Sequence, residues 1–572
     1  MKERFNRMNK KQHVKGVLFQ VLIITFFVML FYIRFSWFEY HFTNYDDIKV
    51  AQFTDFTANL FDWKFRKLVW DGGVSAKIYN ILCVFISKLY NCISYAVNFS
   101  KYWTYAPGQF VFTFGLLPFA YDYSSIKFFG RFPSLVLGCV ALILCWKSVK
   151  AYTNSNKVAL ATTSIVGFSW QSILYCMHMS NYEAIIFIGF AASYLVFWIM
   201  ENNTLKRWIF VVVLLGIMTW FHYQTICYLS GVLLVFLFNG FSEKIPVKKL
   251  MIRMVVLCAI FAIIVVPLLF FANMNGVPTW NAGINGEYLY KFSFDLIYTI
   301  KFFFINSCKV FKAMLSPVPL NTCWAQIISI IYMLFFLYGT FKGFSFYKKN
   351  RLFYLTIFCW GTILTEYFFV FIGKFTLSPT RHSNVLIAAF VLQIMIGIYS
   401  CIFDLKKIRL KKYIPYFLSV CITLLWMLYA GEVKKERMDL YTNVSVNKLI
   451  EAYSPDLVVD RFAPQLWYLL GNEYVRREII DYQTDFYDRD YDASNNKKIM
   501  IMSCTNKIDE EVLIEVSEKL LERGYITKEA GLKLLLNEPI AQYEYQTYID
   551  FDFYNVTSGS ANNFYYKIYL ID

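Results

Sequence analysis

An adjacent pair of carboxylates, Asp46 and Asp47, is the part of the sequence best suited to chemistry. The pair lies in Asn44-Tyr45-Asp46-Asp47-Ile48-Lys49, shortly after the first long apolar segment. A carboxylate in that position can take a proton from an attacking group or bind a cation. Two adjacent acids are also common at the start of a solvated loop, so the spacing alone favours neither interpretation.

Other polar side chains recur at the same end of the apolar segments. They comprise Arg131, His178, Asn181, Glu183, His222, Tyr223, Gln224, Lys374, Arg381 and His382, and His41 lies on this side too. Ionisable groups at a membrane are costly and usually line a functional cavity. Their recurrence at one end predicts a cavity there, with His178, Glu183, His222 and His382 among its lining residues.

Each candidate also has a purely structural interpretation. Glu183 at a helix amino terminus would favour the helix dipole, and His222 is equally suited to a hydrogen bond between helices. Arg131 could anchor the interface, and snorkelling of Arg381 is a weaker alternative. Asp47 and His222 are candidate ligands for a divalent cation. That signal is weak, since no two ligands have the i, i+4 spacing of a helical metal site.

Composition identifies the class of protein that must position these groups. The 572 residues are 58% hydrophobic and only 17% charged, with a mean hydropathy of +0.43, which excludes an ordinary soluble protein. The apolar runs are long enough to cross a bilayer, and we predict a polytopic α-helical membrane protein with about 11 transmembrane helices. The predicted spans are 17–35, 131–149, 158–176, 183–200, 208–222, 225–240, 251–272, 323–343, 352–372, 383–403 and 413–430.

Positive charge predicts the orientation. The basic residues behind the net charge of +16 cluster in short connections between spans, which indicates topology rather than nucleic-acid binding. With a cytoplasmic amino terminus acting as a signal anchor, connections 150–157, 201–207, 241–250, 344–351 and 404–412 are all cytoplasmic. The candidate site then faces the extracytoplasmic side of the cell membrane.

The 13 cysteines contain no CxxC and lie mostly inside apolar runs.

The extracytoplasmic regions are two large loops and the tail. Loop 36–130 contains predicted interfacial helices at 76–100 and 108–121, and loop 273–322 contains another at 291–312. Residues 1–430 would form the membrane domain. Residues 431–572 lose the apolar runs and predict a small extracytoplasmic α/β domain with strands at 457–459, 499–502, 547–553 and 564–570 and a helix at 510–523.

Nucleotide-binding motifs are absent from the sequence. Neither GxGxxG after a strand nor GxxxxGK[ST] occurs. An activated donor would therefore arrive by another route, and a lipid-linked donor reaching an extracytoplasmic cavity through the bilayer suits this layout. Arg381 and Lys374 would suit its phosphates.

Four short motifs in order resemble the GT-C superfamily of polyprenyl-phosphate-sugar glycosyltransferases, which includes lipid A aminoarabinose transferases and protein O-mannosyltransferases. Tyr45–Ala51 resembles the family's Asp-Glu stretch, and Tyr105–Phe110 its proline-containing entry to a juxtamembrane helix. Gly130–Leu135 is similar to its Arg-Xaa-Pro-Ser, and Ser378–His382 to its late Pro-Xaa-Arg-Tyr. This sequence departs from the pattern with Asp47 in place of Glu and His382 in place of Tyr.

The resemblance implies a mechanism and residue roles. Asp46 would be the general base that deprotonates the acceptor, and direct displacement of the polyprenyl phosphate would invert the anomeric configuration. Arg381, Arg131 and Lys374 would bind the donor phosphate. Asp47 with the histidines could hold a divalent cation, which only some members use; no other cofactor is implied.

Three alternatives stay open at this stage. A transporter or flippase of lipid-linked glycans would place polar residues at mid-span, whereas these spans are expected to be apolar in the middle. A surface-glycan polymerase or ligase would use the same donors. A non-catalytic receptor would leave the clustered histidines unexplained. The acceptor could be a lipid, a glycan, a teichoic acid or a protein.

Overall fold

The structure is a computed structural model that describes most of the predicted membrane domain. Its described residues are 20–36, 106–116, 123–179, 181–271, 288–346, 350–404 and 413–439, with the strands and helix given below and a few isolated residues. The acidic pair Asp46-Asp47, His41 and most of the predicted interfacial helix 76–100 lie outside the described residues.

Helices, most of them apolar, make up this part of the chain. They are α1 (Gln20–Ser36), α2 (Gly108–Leu116), α3 (Tyr123–Thr153), α4 (Asn156–Gly167), α5 (Trp170–Tyr175), α6 (Tyr182–Glu201), α7 (Leu205–Thr219), α8 (Thr225–Ser242), α9 (Val247–Phe271), α10 (Leu296–Leu315), α11 (Cys323–Ser345), α12 (Arg351–Phe371), α13 (Val385–Asp404) and α14 (Ile414–Asp439). Polar side chains cap the amino termini of several of these helices. Asn350, for example, accepts a hydrogen bond from the backbone N–H of Leu352 at 3.0 Å.

Eight of the described helices are long and apolar enough to cross a membrane, namely those within α3, α6, α8, α9, α11, α12, α13 and α14. The protein is therefore a multi-pass membrane protein. The predicted spans 17–35 and 208–222 correspond to the shorter helices α1 and α7, and α7 has only 15 residues. Helix α3 begins at Tyr123, so Arg131 lies within the helix rather than at its start.

The prediction of one continuous span over 158–176 is wrong. The segment is broken after Gly167 into α4 and α5, because the polar groups at the break bond to other parts of the chain. The Ser169 hydroxyl donates to the carbonyl of Met314 at 2.7 Å, and the Trp170 N–H donates to the carbonyl of Ser316 at 3.2 Å. From α1, the guanidinium of Arg34 donates to the Gly167 carbonyl at 3.1 Å and to the Ser172 hydroxyl at 2.9 Å.

The two ends of the helix bundle differ in chemistry. At one end, which we call the basic end, the short connections carry lysines and arginines, and Arg351 forms an ion pair with Glu201. Asn203 donates to Glu243 there at 2.7 Å. At the other end, the site end, the connections 176–181, 220–224 and 372–384 meet. The site end carries most of the sequence-predicted site residues that the structure describes.

Close packing joins α11 to α13. A Cβ atom at Gly339 would overlap the Gln393 carbonyl, and one at Gly397 would overlap the Phe335 carbonyl. Small residues of this kind allow transmembrane helices to approach closely. Gln393 itself is fully buried near the centre of α13. The expectation that the spans are apolar in the middle is therefore wrong at this position.

Two predicted interfacial segments form helices. Residues 108–121 contain α2, whose first N–H, that of Gly108, donates to the Trp220 carbonyl at 2.6 Å. Residues 291–312 overlap α10, whose amino terminus is capped by Asp295 through the N–H of Ile297 at 2.8 Å. Several apolar side chains of α10, such as Ile297 and Phe304, are exposed.

Beyond residue 450, the described strands form one five-stranded sheet in the order β2-β1-β3-β5-β4. The strands are β1 (Leu457–Arg461), β2 (Ile479–Asp481), β3 (Ile499–Thr505), β4 (Ala541–Thr547) and β5 (Asn562–Ile571), with α15 (Lys528–Leu536) between β3 and β4. Strands β1, β2 and β3 are parallel to one another, and β5 is antiparallel to both β3 and β4. Residues 541–547 form β4, while all but the first residue of the predicted strand 547–553 and most of the predicted helix 510–523 lie outside the described residues. Strand β2 and helix α15 were not predicted. A separate extracytoplasmic domain over 431–572 stays a prediction.

Candidate functional site

The ring of Tyr182 lies among three side chains from two other connections at the site end. The guanidinium carbon of Arg381 is 5.2 Å from the Tyr182 ring centroid. The rings of His222 and His382 have their centroids 6.2 Å and 6.4 Å from it, both in edge geometry. We call Tyr182, His222, Arg381 and His382 the Tyr182 cluster. The structure thus brings together three of the sequence-predicted site residues around a tyrosine that the sequence did not single out.

The tight turn between α7 and α8 positions His222. Asn181, just before α6, donates its side-chain N–H to the Phe221 carbonyl at 2.8 Å, which ties this turn to the start of α6. The backbone N–H of Gln224 donates to Nδ1 of His222 at 3.3 Å. The imidazole therefore accepts a hydrogen bond on one nitrogen, as a neutral ring does.

A buried connection between α12 and α13 positions Arg381 and His382. The hydroxyls of Ser378 and Thr380 share a hydrogen bond of 2.6 Å, and the Leu377 N–H donates to the Tyr288 carbonyl at 3.1 Å. A single 3-10 turn, Arg381–Ser383, then leads into α13. These contacts fix the backbone that carries the arginine, which favours a preorganised cationic group at the membrane surface.

His178 is linked to the cluster through Tyr175. Its ring centroid is 5.3 Å from that of Tyr175, and Tyr175 is 5.8 Å from Tyr182. His178 is buried, in the connection between α5 and α6. The rings of His178, Tyr175 and Tyr182 thus form a continuous series of aromatic contacts.

The remaining described candidates lie in α3, in α6 and beyond the end of α12. The Glu183 carboxylate packs against α3, where an added Cβ at Gly138 would lie 3.1 Å from its Oε1. Arg131 is buried in α3, one residue after Gly130, whose backbone packs against Met179. Lys374 is exposed, just beyond the end of α12. Asp46 and Asp47 lie outside the described residues.

Burial determines the charge of His222. Desolvation lowers the pKa of this imidazole from 6.5 to about 3, so the ring is neutral at physiological pH. The same burial raises the pKa of the Tyr223 phenol above its ordinary value. His222 is thus suited to hydrogen bonding rather than to pairing with a phosphate.

In the part of the chain that the structure describes, no group of three potential metal ligands occurs.

Sequence reasoning missed Glu366, which is fully buried in α12. Its Oε1 accepts a hydrogen bond from Gln224 Nε2 at 3.1 Å, and its Oε2 accepts from the Cys227 thiol at 3.4 Å. The signal was present as a single acid in the apolar run Ile363-Leu364-Thr365-Glu366-Tyr367. An ionisable residue inside a span marks a functional site by default.

Part of the chain matches the model of a known protein family. Residues 124–271 match the family model described as dolichyl-phosphate-mannose-protein mannosyltransferase. The predicted resemblance to the GT-C glycosyltransferases is confirmed over this segment. The segment runs from α3 to the end of α9 and contains four of the sequence-predicted site residues, Arg131, His178, Glu183 and His222.

Two solved structures are similar in outline. They are the crystal structures of ArnT from Cupriavidus metallidurans bound to undecaprenyl phosphate and in the apo state. The first has a TM-score of 0.46 at 8% identity and covers 96% of this chain and 97% of that chain. The second has a TM-score of 0.45 at 8% identity, and the match covers 96% of this chain and 98% of that chain. No curated protein matches the sequence.

Proposed function

We propose that this protein is a membrane glycosyltransferase that moves a sugar from a polyprenyl-phosphate donor to an extracytoplasmic acceptor. The observation that carries the proposal is the match of residues 124–271 to a family whose members use dolichyl-phosphate mannose, itself a polyprenyl-phosphate sugar. The transferred group is a hexose or a pentose. The acceptor is a lipid, a glycan or a protein.

The Tyr182 cluster supports the phosphate-binding part of this proposal. Arg381 is a permanent cation with five N–H donors, and its central carbon lies 5.2 Å from the centroid of the Tyr182 ring. As the polyprenyl phosphate leaves, negative charge grows on its oxygens, and a fixed guanidinium stabilises that charge. Two further candidates for this role are Arg131, which is also buried, and Lys374.

Asp46 completes the proposed mechanism as general base. It would take the proton from the acceptor hydroxyl or amine as that group attacks the anomeric carbon. The sugar–phosphate bond breaks in the same displacement, the electron pair leaves on the phosphate, and the anomeric configuration inverts. Asp47 would orient the acceptor or hold a divalent cation.

The proposed orientation follows from the basic end of the bundle, which we place in the cytoplasm together with the amino terminus. The site end and residues 431–572 then face outward. In a background whose native cysteines are replaced by serine, a membrane-impermeant maleimide applied to intact cells would label Lys374→Cys and spare Lys244→Cys, since the two exposed positions lie at opposite ends. Labelling of Lys244→Cys alone would invert the orientation.

A transporter of lipid-linked glycans is the second candidate, and the buried Gln393 near the centre of α13 is the observation that favours it. The discriminating experiment supplies radiolabelled polyprenyl-phosphate sugars to the purified protein in proteoliposomes with native acceptors. A transferase moves label into the acceptor fraction and releases polyprenyl phosphate. A transporter moves intact donor across the bilayer without breaking the sugar–phosphate bond.

A further inference from the structure

Gln224 bridges the two polypeptide segments that carry the Tyr182 cluster. Its Nε2 lies 2.6 Å from the carbonyl oxygen of His382 and 3.1 Å from Oε1 of Glu366. A side-chain amide nitrogen carries two hydrogens, so both bonds can form at once. Its backbone N–H meanwhile donates to Nδ1 of His222 at 3.3 Å. One residue is therefore bonded to both histidines of the cluster and to a carboxylate within α12.

The carboxylate of Glu366 has few partners for a group in that environment. Glu366 is fully buried, and within the described part of the chain its two oxygens accept from Gln224 and from the Cys227 thiol at 3.4 Å and from no other group. Among the described residues, no lysine or arginine forms an ion pair with it. A carboxyl group inside a span is costly. An apolar residue would pack there at lower cost, so packing alone does not account for the acid.

The bond to the His382 carbonyl acts directly on Arg381. That carbonyl belongs to the 3-10 turn Arg381–Ser383, and the two residues are adjacent in the chain. The hydrogen bond from Gln224 thereby holds the turn in place relative to α8. The hydrogen bond to Glu366 in turn holds the Gln224 side chain in its rotamer. Displacement of a binding group by about 1 Å is enough to lower activity a hundredfold in well-organised sites.

We infer that Gln224 and Glu366 are positioning residues that hold Arg381 in place for the anionic headgroup of a polyprenyl phosphate. The inference rests on the proposed function and adds to it the residues that set affinity for this ligand class. Neither residue touches the reacting atoms; both act through Arg381. The carboxylate serves as a hydrogen-bond acceptor, so its oxygen matters and its charge does not.

The test measures binding of decaprenyl phosphate to the full-length protein in nanodiscs, which needs no turnover. Gln224→Leu and Glu366→Leu should each weaken binding about tenfold, the cost expected for one buried hydrogen bond and the misplacement that follows. Glu366→Gln keeps a carbonyl oxygen for Gln224 and should bind within about twofold of wild type. Asn239→Leu is the matched control, because it removes a buried amide at the basic end of α8, about 21 Å along the helix from Thr225.

A second background separates positioning from simple structural damage. In Arg381→Met, which removes the cation and alone weakens binding, the addition of Gln224→Leu should change affinity less than twofold, since residues that act through one group are not additive. A full further loss in that background would overturn the inference, as would wild-type affinity of Gln224→Leu or a severe loss in Glu366→Gln. Failure of the wild-type protein to bind decaprenyl phosphate would overturn the proposed function as well.

Discussion

The guanidinium of Arg381 lies over the ring of Tyr182, with 5.2 Å between its central carbon and the ring centroid. The two residues come from the start of α6 and from the connection before α13, so the contact exists only in the folded bundle. A cation held over an aromatic face keeps its orientation without losing its charge. The pair provides the most direct physical basis for the proposed phosphate site.

The ring of Tyr182, rather than its hydroxyl, should support this arrangement. Tyr182→Phe keeps the ring and should retain the donor KM of the wild-type protein. Tyr182→Leu removes a cation–π contact worth roughly 0.5–2 kcal/mol and should raise the donor KM about two- to thirtyfold. Steady-state kinetics with varied donor and saturating acceptor measure this difference. Equal KM values for the two variants would mean that the ring does not hold Arg381.

The pH dependence of stability should reveal the neutral state of His222. Its pKa falls from 6.5 to about 3 on folding, so the unfolded chain binds a proton between these values and the folded protein does not. Folding is therefore unaffected by this group above pH 6.5 and is destabilised as the pH falls below it. Between pH 6.5 and 5 the loss should be about 2 kcal/mol.

Thermal unfolding in detergent at pH 7.5 and pH 5 checks this expectation. His222→Gln removes the titrating group, so its unfolding temperature should fall less with acid than that of the wild-type protein. An identical fall in both proteins would show that His222 is protonated in the folded state or is solvated.

Arg34 should contribute strongly to stability. Its guanidinium is fully buried and donates to the last carbonyl of α4 and to the hydroxyl of Ser172, and these bonds join α1 across the break between α4 and α5. Replacement by methionine leaves those acceptors unpaired and should lower the free energy of unfolding by roughly 2–4 kcal/mol. Tyr32→Leu, two residues earlier and 68% exposed, is the control and should have little effect. Comparable unfolding temperatures for the two variants would contradict this role.

The crossing of α11 and α13 should tolerate no side chain at Gly397. A Cβ there overlaps the Phe335 carbonyl, so Gly397→Ala should destabilise the protein by about 1–3 kcal/mol. Gly431 in α14 has nothing within 4 Å of an added Cβ, and Gly431→Ala should be neutral or mildly stabilising. Thermal unfolding of the two variants side by side measures the contrast. A stable Gly397→Ala protein would show that the helices separate at no cost.

Hydropathy and charge predicted the class of fold well, because a span must be apolar along its length whatever it packs against. The prediction of one span over 158–176 was wrong because of contacts made at a single point in it. Its break depends on Ser169 and Trp170 bonding to Met314 and Ser316, residues far away in the sequence. Apolar periodicity carries no information about such long-range partners.

The site was only partly predictable for the same reason. Listing polar residues at one end of the spans found Arg381, His382 and His222, since topology alone brings those connections to one side. Tyr182 was overlooked because a tyrosine at a helix start is ordinary in a chain that is 20% aromatic. Glu366 was overlooked because it lies inside a span, and its importance depends on Gln224 reaching it from another helix.

The proposed reaction breaks a sugar–phosphate bond on a lipid donor, with Asp46 as the general base. The most direct measurement compares wild type with Asp46→Asn for release of labelled sugar from purified polyprenyl-phosphate donors in the presence of native acceptors. We expect turnover by the wild-type protein and a loss of about 10²–10⁴ in rate for the variant, at unchanged membrane insertion. Full activity in Asp46→Asn would remove Asp46 from the mechanism. An inactive wild-type protein across a broad donor panel would contradict the transferase itself.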